Sequence, residues 1–100
     1  MFLAMNRFRI ARGMEDGFEK IWQKRESFLQ AVPGFVSFAL LKGPSDDQQS
    51  LYASHSVWDS RETFEAWTNS EAFQKAHGRA RAPEGTYLGP PVFEGFEVVL

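Results

Sequence analysis

The spacing of apolar residues switches between two periods along this chain, and the order of the switches restricts the fold more than any single motif. Stretches with period two are typical of strands, whose successive side chains point to opposite faces. They predict four strands: Phe2–Ala11, Phe35–Lys42, Leu51–Trp58 and Val92–Leu100. The polar segment 43–49 predicts a hairpin turn between the second and third strands, and the Gly- and Pro-rich segment 82–91 predicts a loop.

Two regions have helical spacing. An apolar stripe along Met14–Gln30 predicts an amphipathic helix that ends before Pro33-Gly34. A second helical region opens at Asp59, with Glu62 in capping-box spacing. Residues 68–70 predict a break there, after which Ser70 would cap a further short helix that carries Phe73, Ala76, His77 and Ala80.

The resulting order predicts one α+β domain over residues 1–100, of the ferredoxin-like βαββαβ type, with its helices on one face of an antiparallel sheet. Several strands are apolar on both faces. Leu3 and Met5 alternate with Phe2 and Phe8, and in the second strand Val36, Phe38 and Leu40 alternate with Phe35, Ala39 and Leu41. Since the helices cover one face only, we expect a second copy to cover the other, which gives a homodimer with packed sheets, a dimeric α+β barrel.

The charge balance and the residue types exclude several functions. Eleven Lys and Arg against 13 Asp and Glu give a formal net charge of −2, which disfavours nucleic acid as a partner. The chain contains no Cys, so disulfides, thiolate ligands and iron–sulfur clusters are excluded. Apolar runs are too short to cross a membrane, and the first residues do not resemble a signal peptide. We expect a cytoplasmic protein.

Asn6 fits its predicted element least well. It falls on the same face of the first strand as Phe2, Ala4, Phe8 and Ile10. Strands disfavour Asn, and a buried amide without partners costs roughly 1–3 kcal/mol. Such a mismatch is typical of functional sites. The pattern is equally compatible with a buried Asn that bonds to backbone or water.

His77 lies one turn after Phe73 and ten positions after Trp67. An imidazole and an aromatic ring on an apolar helical layer can form one wall of a pocket for a flat apolar ligand such as haem, whose iron is commonly held by His. Taken alone, the spacing favours simpler interpretations, in which His77 interacts with the helix dipole and Trp67 packs in the core.

The other candidates have structural interpretations of comparable weight. Arg79 and Arg81 could pair with anionic groups such as haem propionates, or could cap a helix end. His55 alternates with apolar residues and is interpreted as an interior or interface histidine, and Trp22 and Trp58 as core or interface residues. Glycine-rich phosphate loops, His-Glu-x-x-His and Gly-x-Ser-x-Gly do not occur in the sequence.

With these residues identified, the sequence resembles the IsdG-like haem-degrading monooxygenases of the antibiotic biosynthesis monooxygenase superfamily, and among them the haem oxygenases associated with haem uptake in alphaproteobacteria. The resemblance covers essentially the whole chain. It rests on Met5-Asn6-Arg7-Phe8, Pro33-Gly34-Phe35, Val57-Trp58, Phe64-Glu65-Ala66-Trp67 and Phe73-Gln74-Lys75-Ala76-His77. The Pro-Gly-Phe and Val-Trp segments are common to the superfamily and support the fold, whereas Asn6, Trp67 and His77 together mark the haem-degrading branch.

The resemblance implies a role for each of these three residues. His77 would be the proximal ligand of the haem iron, Asn6 would donate a hydrogen bond on the distal side, and Trp67 would press on the porphyrin and buckle it. Haem would be both cofactor and substrate, with dioxygen and electrons from a separate reductase. The products would be an open-chain tetrapyrrole and free iron. Arg79 and Arg81 are candidate propionate partners on their charge alone.

Three other functions fit the same fold. The first is a cofactor-free monooxygenase of a quinol- or anthrone-like substrate, which would not bind haem through His77. The second is a non-catalytic haem-binding or haem-storage dimer, which would return haem intact under reductant and oxygen. The third is a dimeric small-molecule-binding module without chemistry.

Overall fold

The computed structural model describes residues 1–26, 29–71, 73 and 84–100. For residues 25 and 26 it describes the backbone but not the side chains. Its elements are β1 (Phe2–Ala11), α1 (Glu15–Glu26), β2 (Phe35–Ser45), β3 (Gln49–Trp58), α2 (Arg61–Thr68) and β4 (Val92–Glu97). The strands form one antiparallel sheet in the order β2-β3-β1-β4. The predicted ferredoxin-like α+β fold is thus confirmed. Neither α1 nor α2 is long and apolar enough to span a membrane.

The helix side of the sheet carries the core, which divides into two clusters. On β1 this side holds Phe2, Ala4, Phe8 and Ile10, all buried, as the alternation predicts. The α2-side cluster consists of Phe2, Ala4, Leu29 and Trp58, against which Phe64 and Trp67 pack. The α1-side cluster consists of Phe8, Ile10, Phe18 and Tyr52, against which Met14, Trp22 and Leu40 pack.

The hairpin between β2 and β3 is present, with longer strands than the sequence predicts. The carboxylate of Asp46 accepts hydrogen bonds from the backbone N–H groups of Gln48, at 2.8 Å, and Gln49, at 2.9 Å. This closes the turn within a few residues, so β2 continues to Ser45 and β3 starts at Gln49. Pro44 is tolerated because β2 is an edge strand.

A β-bulge at the start of β2 changes which residues share a face. Phe35 pairs with Trp58, whereas Ser37, two positions later, pairs with the adjacent Val57. The extra residue brings Phe35 to the same side of the sheet as Phe38. The alternation predicts opposite faces for these two residues, and that prediction is wrong because sequence period alone does not register a bulge.

The cap of α2 lies one residue later than the sequence predicts. The Ser60 hydroxyl accepts from the backbone N–H of Thr63, at 3.2 Å, and the Thr63 hydroxyl accepts from the backbone N–H of Ser60, at 3.3 Å. The reciprocal pair is therefore Ser60 and Thr63 rather than Asp59 and Glu62. Glu62 remains in the first turn, where the helix dipole favours a negative charge.

Two further elements are shorter than predicted. The predicted helix to Gln30 is wrong at its end, because Leu29–Ala31 forms a 3₁₀ turn. The last strand ends at Glu97 rather than at Leu100. Leu29 is one of the buried residues of the α2-side cluster. Its packing there favours a 3₁₀ turn at a position where the helical periodicity of the sequence predicts a further α-helical turn.

The predicted break after α2 is confirmed. Asn69 is the C-cap of α2, and the Ser70 hydroxyl accepts from the backbone N–H of Phe73 at 3.1 Å, as a capping residue does. Residues 84–91 form the predicted loop, which is tied to β1 by a bridge between Tyr87 and Ile10. The predicted short helix around His77 lies outside the described residues, apart from Glu71 and Phe73, which are helical.

Candidate functional site

Asn6 lies at the middle of β1, between Ala4 of the α2-side cluster and Phe8 of the α1-side cluster, and belongs to neither. It pairs with Ser54 of β3 and with Phe93 of β4. Paired residues of antiparallel strands project from the same face, with Cβ atoms about 5 Å apart. Asn6 and Ser54 therefore form a polar gap between two aromatic clusters, and the expectation that Asn6 faces the helix side is confirmed.

The side-chain amide of Asn6 makes no hydrogen bond within the described part of the chain, although the residue is half-buried. A backbone or side-chain partner is the simplest way to stabilise a buried Asn, and none of the described residues supplies one. The amide thus retains both donors and its acceptor for a molecule that enters the polar gap.

Trp67 lies in the last turn of α2, where it is held by other aromatic rings. Its indole stacks on Trp58, with centroids 5.3 Å apart and 29° between planes. Phe73 meets it edge-on at 4.7 Å. Trp67 therefore packs against the core, as one of its two interpretations predicts. It is only half-buried, so part of its surface stays accessible to a ligand.

His77, Arg79 and Arg81 lie outside the described residues. Phe73 packs on Trp67, and Tyr87 contacts Phe8, at 6.1 Å between ring centroids, and Phe18, at 5.8 Å. Phe73 and Tyr87, which precede and follow these residues in the chain, therefore contact one aromatic cluster each, and the two clusters flank the polar gap.

A cavity of about 310 Å³ opens between α1 and the edge of the sheet. Neither Asn6 nor Trp67 lines it. Its walls include Tyr52, whose hydroxyl donates to the Glu19 carboxylate at 2.5 Å, and Lys42, whose ammonium lies 5.9 Å from the Tyr52 ring centroid. Burial, followed by the bond to Glu19, raises the pKa of Tyr52, so this phenol remains protonated at neutral pH.

Sequence reasoning missed both Ser54 and Tyr87. Ser54 could have been found, because period two places it on the side of β3 that carries the large rings of Tyr52 and Trp58. A small polar residue beside large aromatic ones on a strand face is the same kind of mismatch as Asn6. Tyr87 gave no such signal, since its loop has no period.

His55 lies on the side of the sheet that faces away from the helices. It pairs with Met5 of β1 and Ala39 of β2 and is half-buried. The interior interpretation is therefore wrong, whereas an interface position stays a prediction. On the same face Arg7 forms an ion pair with Glu94 at 2.8 Å.

The described residues limit the chemistry of the site. Across residues 1–26, 29–71, 73 and 84–100, His, Cys, Asp and Glu side chains do not assemble into a group of three that could hold a metal ion. What these residues offer instead is two aromatic clusters with unbonded polar groups between them, which suits a flat, largely apolar molecule that carries one polar centre.

Comparison with known proteins identifies relatives over most of the chain. The sequence model of the family described as Antibiotic biosynthesis monooxygenase matches residues 1–79. The mycobilin-producing haem oxygenase of Mycobacterium tuberculosis is 31% identical over 96 residues, which cover 96% of this chain and 87% of that protein. The staphylobilin-producing haem oxygenase of Staphylococcus haemolyticus is 29% identical over 77 residues, covering 77% and 73% of the respective chains.

Solved structures agree with these relationships. The haem degrader MhuD of Mycobacterium tuberculosis, with two haems bound in its active site, superposes with a TM-score of 0.77 and 30% identity, and the match covers 100% of this chain and 97% of that one. The cofactor-independent oxygenase SnoaB of Streptomyces nogalater superposes with a TM-score of 0.72 at 23% identity, over 97% and 91% of the chains. The second similarity supports the fold alone.

Proposed function

We propose that this chain, which belongs to the antibiotic biosynthesis monooxygenase family and to its IsdG-like haem-degrading branch, binds haem in the polar gap and opens the porphyrin oxidatively. Haem is the substrate as well as the cofactor. The products are a bilin-type tetrapyrrole and free iron. Dioxygen and electrons from an external donor complete the reaction.

One observation carries the proposal: a half-buried Asn6 amide without a hydrogen-bond partner among the described residues, placed between two aromatic clusters. Haem is a flat apolar molecule with a polar centre at the iron, so its ring fits aromatic walls and a ligand at its centre fits the amide. The relatives that match most of the chain are haem oxygenases, which supports the same choice of ligand.

The described residues would act on haem by placing and enclosing it. The Asn6 amide would donate a hydrogen bond on the distal side, since no described residue competes for it. Trp67, backed by the buried Trp58, would form a rigid surface against the porphyrin. Phe64 and Phe93 stack 5.7 Å apart beside the gap and would limit the access of water.

Haem, when bound, supplies the iron at which dioxygen is activated and the carbon framework that is oxidised. His77 is proposed as the proximal ligand of that iron, because it is the one histidine besides His55, which faces the other side of the sheet. Phe73, before His77 in the chain, contacts Trp67 at one wall of the gap, and Tyr87, after it, contacts Phe18 at the other wall, which supports this assignment. Arg79 and Arg81 are proposed partners of the propionates.

The proposal includes a homodimer. The face of the sheet opposite the helices carries Leu3, Met5, Val57 and Ala39 around His55, together with exposed Leu41, Val92 and Phe96. An apolar sheet face of this kind is stabilised by a second sheet, and a twofold arrangement lets the same face cover itself. An electron-donating reductase is the second proposed partner, and the cytoplasm the proposed location of the reaction.

A spectroscopic titration tests the function. Purified protein is titrated with haemin, and ascorbate is then added in air with catalase present, so that free peroxide does not attack the haem. Saturable binding followed by loss of the Soret band and a new bilin-like absorption is expected. Intact haem under these conditions would indicate a haem-storage protein. No saturable binding would favour a cofactor-free oxygenase such as the structural relative SnoaB.

A further inference from the structure

The polar gap contains a second group that the protein leaves unused, the hydroxyl of Ser54. Ser54 is 7% exposed, and its hydroxyl makes no hydrogen bond within the described part of the chain. The Ser54 Oγ is not a fully buried atom, so it keeps some accessible surface through which a small molecule can reach it. Here the residue paired with it across the sheet is Asn6, whose amide is likewise unbonded among the described residues.

The other serines on the same face of β3 show the contrast. The Ser56 hydroxyl accepts from Trp58 Nε1 at 3.0 Å. The Ser50 hydroxyl donates to the Glu15 carboxylate at 2.8 Å and also bonds Ser45 at 2.8 Å. Both hydroxyls therefore stabilise the fold. Ser54 lies between them on the strand, opposite Asn6, and has no comparable structural task in the part of the chain that the structure describes.

The geometry points to Ser54 as a second ligand-contacting residue, which shares with Asn6 a small oxygen-containing or anionic ligand on the distal side of the bound haem. This inference rests on the proposed function. The two Cβ atoms are about 5 Å apart, so a hydroxyl and an amide N–H can converge on one small molecule between them. Two donors would fix the direction of such a ligand, whereas one would leave it free to rotate.

Azide is a suitable probe because it is a small anion that binds ferric haem and has an infrared stretch sensitive to hydrogen bonding. Protein loaded with ferric haem is titrated with azide for the wild type, Ser54→Ala and Asn6→Ala. Ser54→Ala is expected to weaken azide binding on the order of 3- to 10-fold, the size of one hydrogen bond, and to shift the azide stretch. Haemin affinity should change less than azide affinity does, and thermal stability should stay at the wild-type value, since Ser54 makes no hydrogen bond within the described part of the chain.

Ser56→Ala is the matched control, since it removes a hydroxyl from the same face of the same strand. It should show the opposite pattern, with lower thermal stability because Trp58 Nε1 loses its acceptor, and with unchanged azide affinity. Ser54→Thr keeps the hydroxyl and should bind azide as the wild type does.

The results of these titrations distinguish the role of Ser54 from the proposed function. Saturable haemin binding with equal azide affinity and stretch in the wild type and Ser54→Ala overturns the role of Ser54 and leaves the proposed function standing. The role of Ser54 is also overturned when Ser54→Thr binds azide as weakly as Ser54→Ala, because the hydroxyl would then be irrelevant. A wild type that binds no haemin overturns the proposed function and this inference with it.

Discussion

The indoles of Trp58 and Trp67 stack face to face across the junction of β3 and α2, with ring centroids 5.3 Å apart. Trp58 is fully buried and donates its N–H to Ser56, whereas Trp67 is half-buried at the edge of the α2-side cluster. The two rings therefore have different tasks. Trp58 stabilises the fold. Trp67 is held in place by Trp58 and offers its accessible surface to a ligand.

Phenylalanine substitutions should separate these tasks. Trp58→Phe leaves a cavity and removes the hydrogen bond to Ser56, so we expect it to lower the free energy of unfolding by about 2 kcal/mol. Trp67→Phe keeps an aromatic ring on Trp58 and should cost less than about 1 kcal/mol, with haem retained and turnover altered. Urea unfolding and the haem degradation assay measure the two effects. If Trp67→Phe unfolds the protein and thereby abolishes haem binding, Trp67 is a core residue only.

The two histidines of the chain provide a matched pair for testing the iron ligand. A residue that only orients a metal ligand typically contributes roughly 10–100-fold to metal affinity. His77→Ala removes the proposed ligand itself, so we expect it to weaken haemin binding by at least about 10-fold. His55→Ala changes a residue on the other side of the sheet and should leave the spectrum of the bound iron unaltered. An iron spectrum in His77→Ala identical to that of the wild type contradicts the assignment.

The sequence predicts the parts of the fold that depend on residues near each other in the chain. The alternation in β1 correctly indicates which of its residues face the core, and the break at Asn69 is visible as a run of polar residues. The bulge before Phe38 depends on the pairing between β2 and β3, which a single strand's period does not encode. For the candidate site, the mismatch of Asn6 could be predicted, whereas its pairing with Ser54 required the register of β1 and β3.

Glu15 connects the first turn of α1 to the β2–β3 hairpin, and this connection should make stability depend on acidity. Hydrogen bonds from its own backbone N–H and from the Ser50 hydroxyl, with smaller effects of Gly13 and Arg12, hold the pKa of Glu15 below its ordinary value of 4.5. A lowered pKa in the folded state stabilises the protein above pH 4.5, and this contribution is lost as the pH falls through the folded-state value. Thermal melting from pH 7 down to pH 3 should show a decline below pH 4.5 that is shallower in Glu15→Gln.

Ser50→Ala provides the control for that experiment. Ser50 is fully buried and bonds both Glu15 and Arg12, so its loss should lower the free energy of unfolding by about 1–3 kcal/mol at neutral pH. The acid decline should become shallower than in the wild type but persist, since the backbone hydrogen bond that lowers the pKa of Glu15 most is retained. Identical acid profiles for the wild type and Glu15→Gln would show that other carboxylates govern the decline.

The proposed dimer can be tested at Met5, which lies on the side of the sheet away from the helices and pairs with His55 and Glu94. Met5→Glu would place an additional carboxylate in the centre of the dimer interface, and an unpaired charge buried between two sheets costs several kcal/mol. We therefore expect a dimer for the wild type and a monomer for Met5→Glu in sedimentation velocity at micromolar protein. Ala66→Glu is the control, because Ala66 is an exposed residue of α2 on the opposite side of the sheet, and its dimer should persist. A wild type that sediments as a monomer, or a Met5→Glu variant that remains dimeric, contradicts packing of the two sheets through this face.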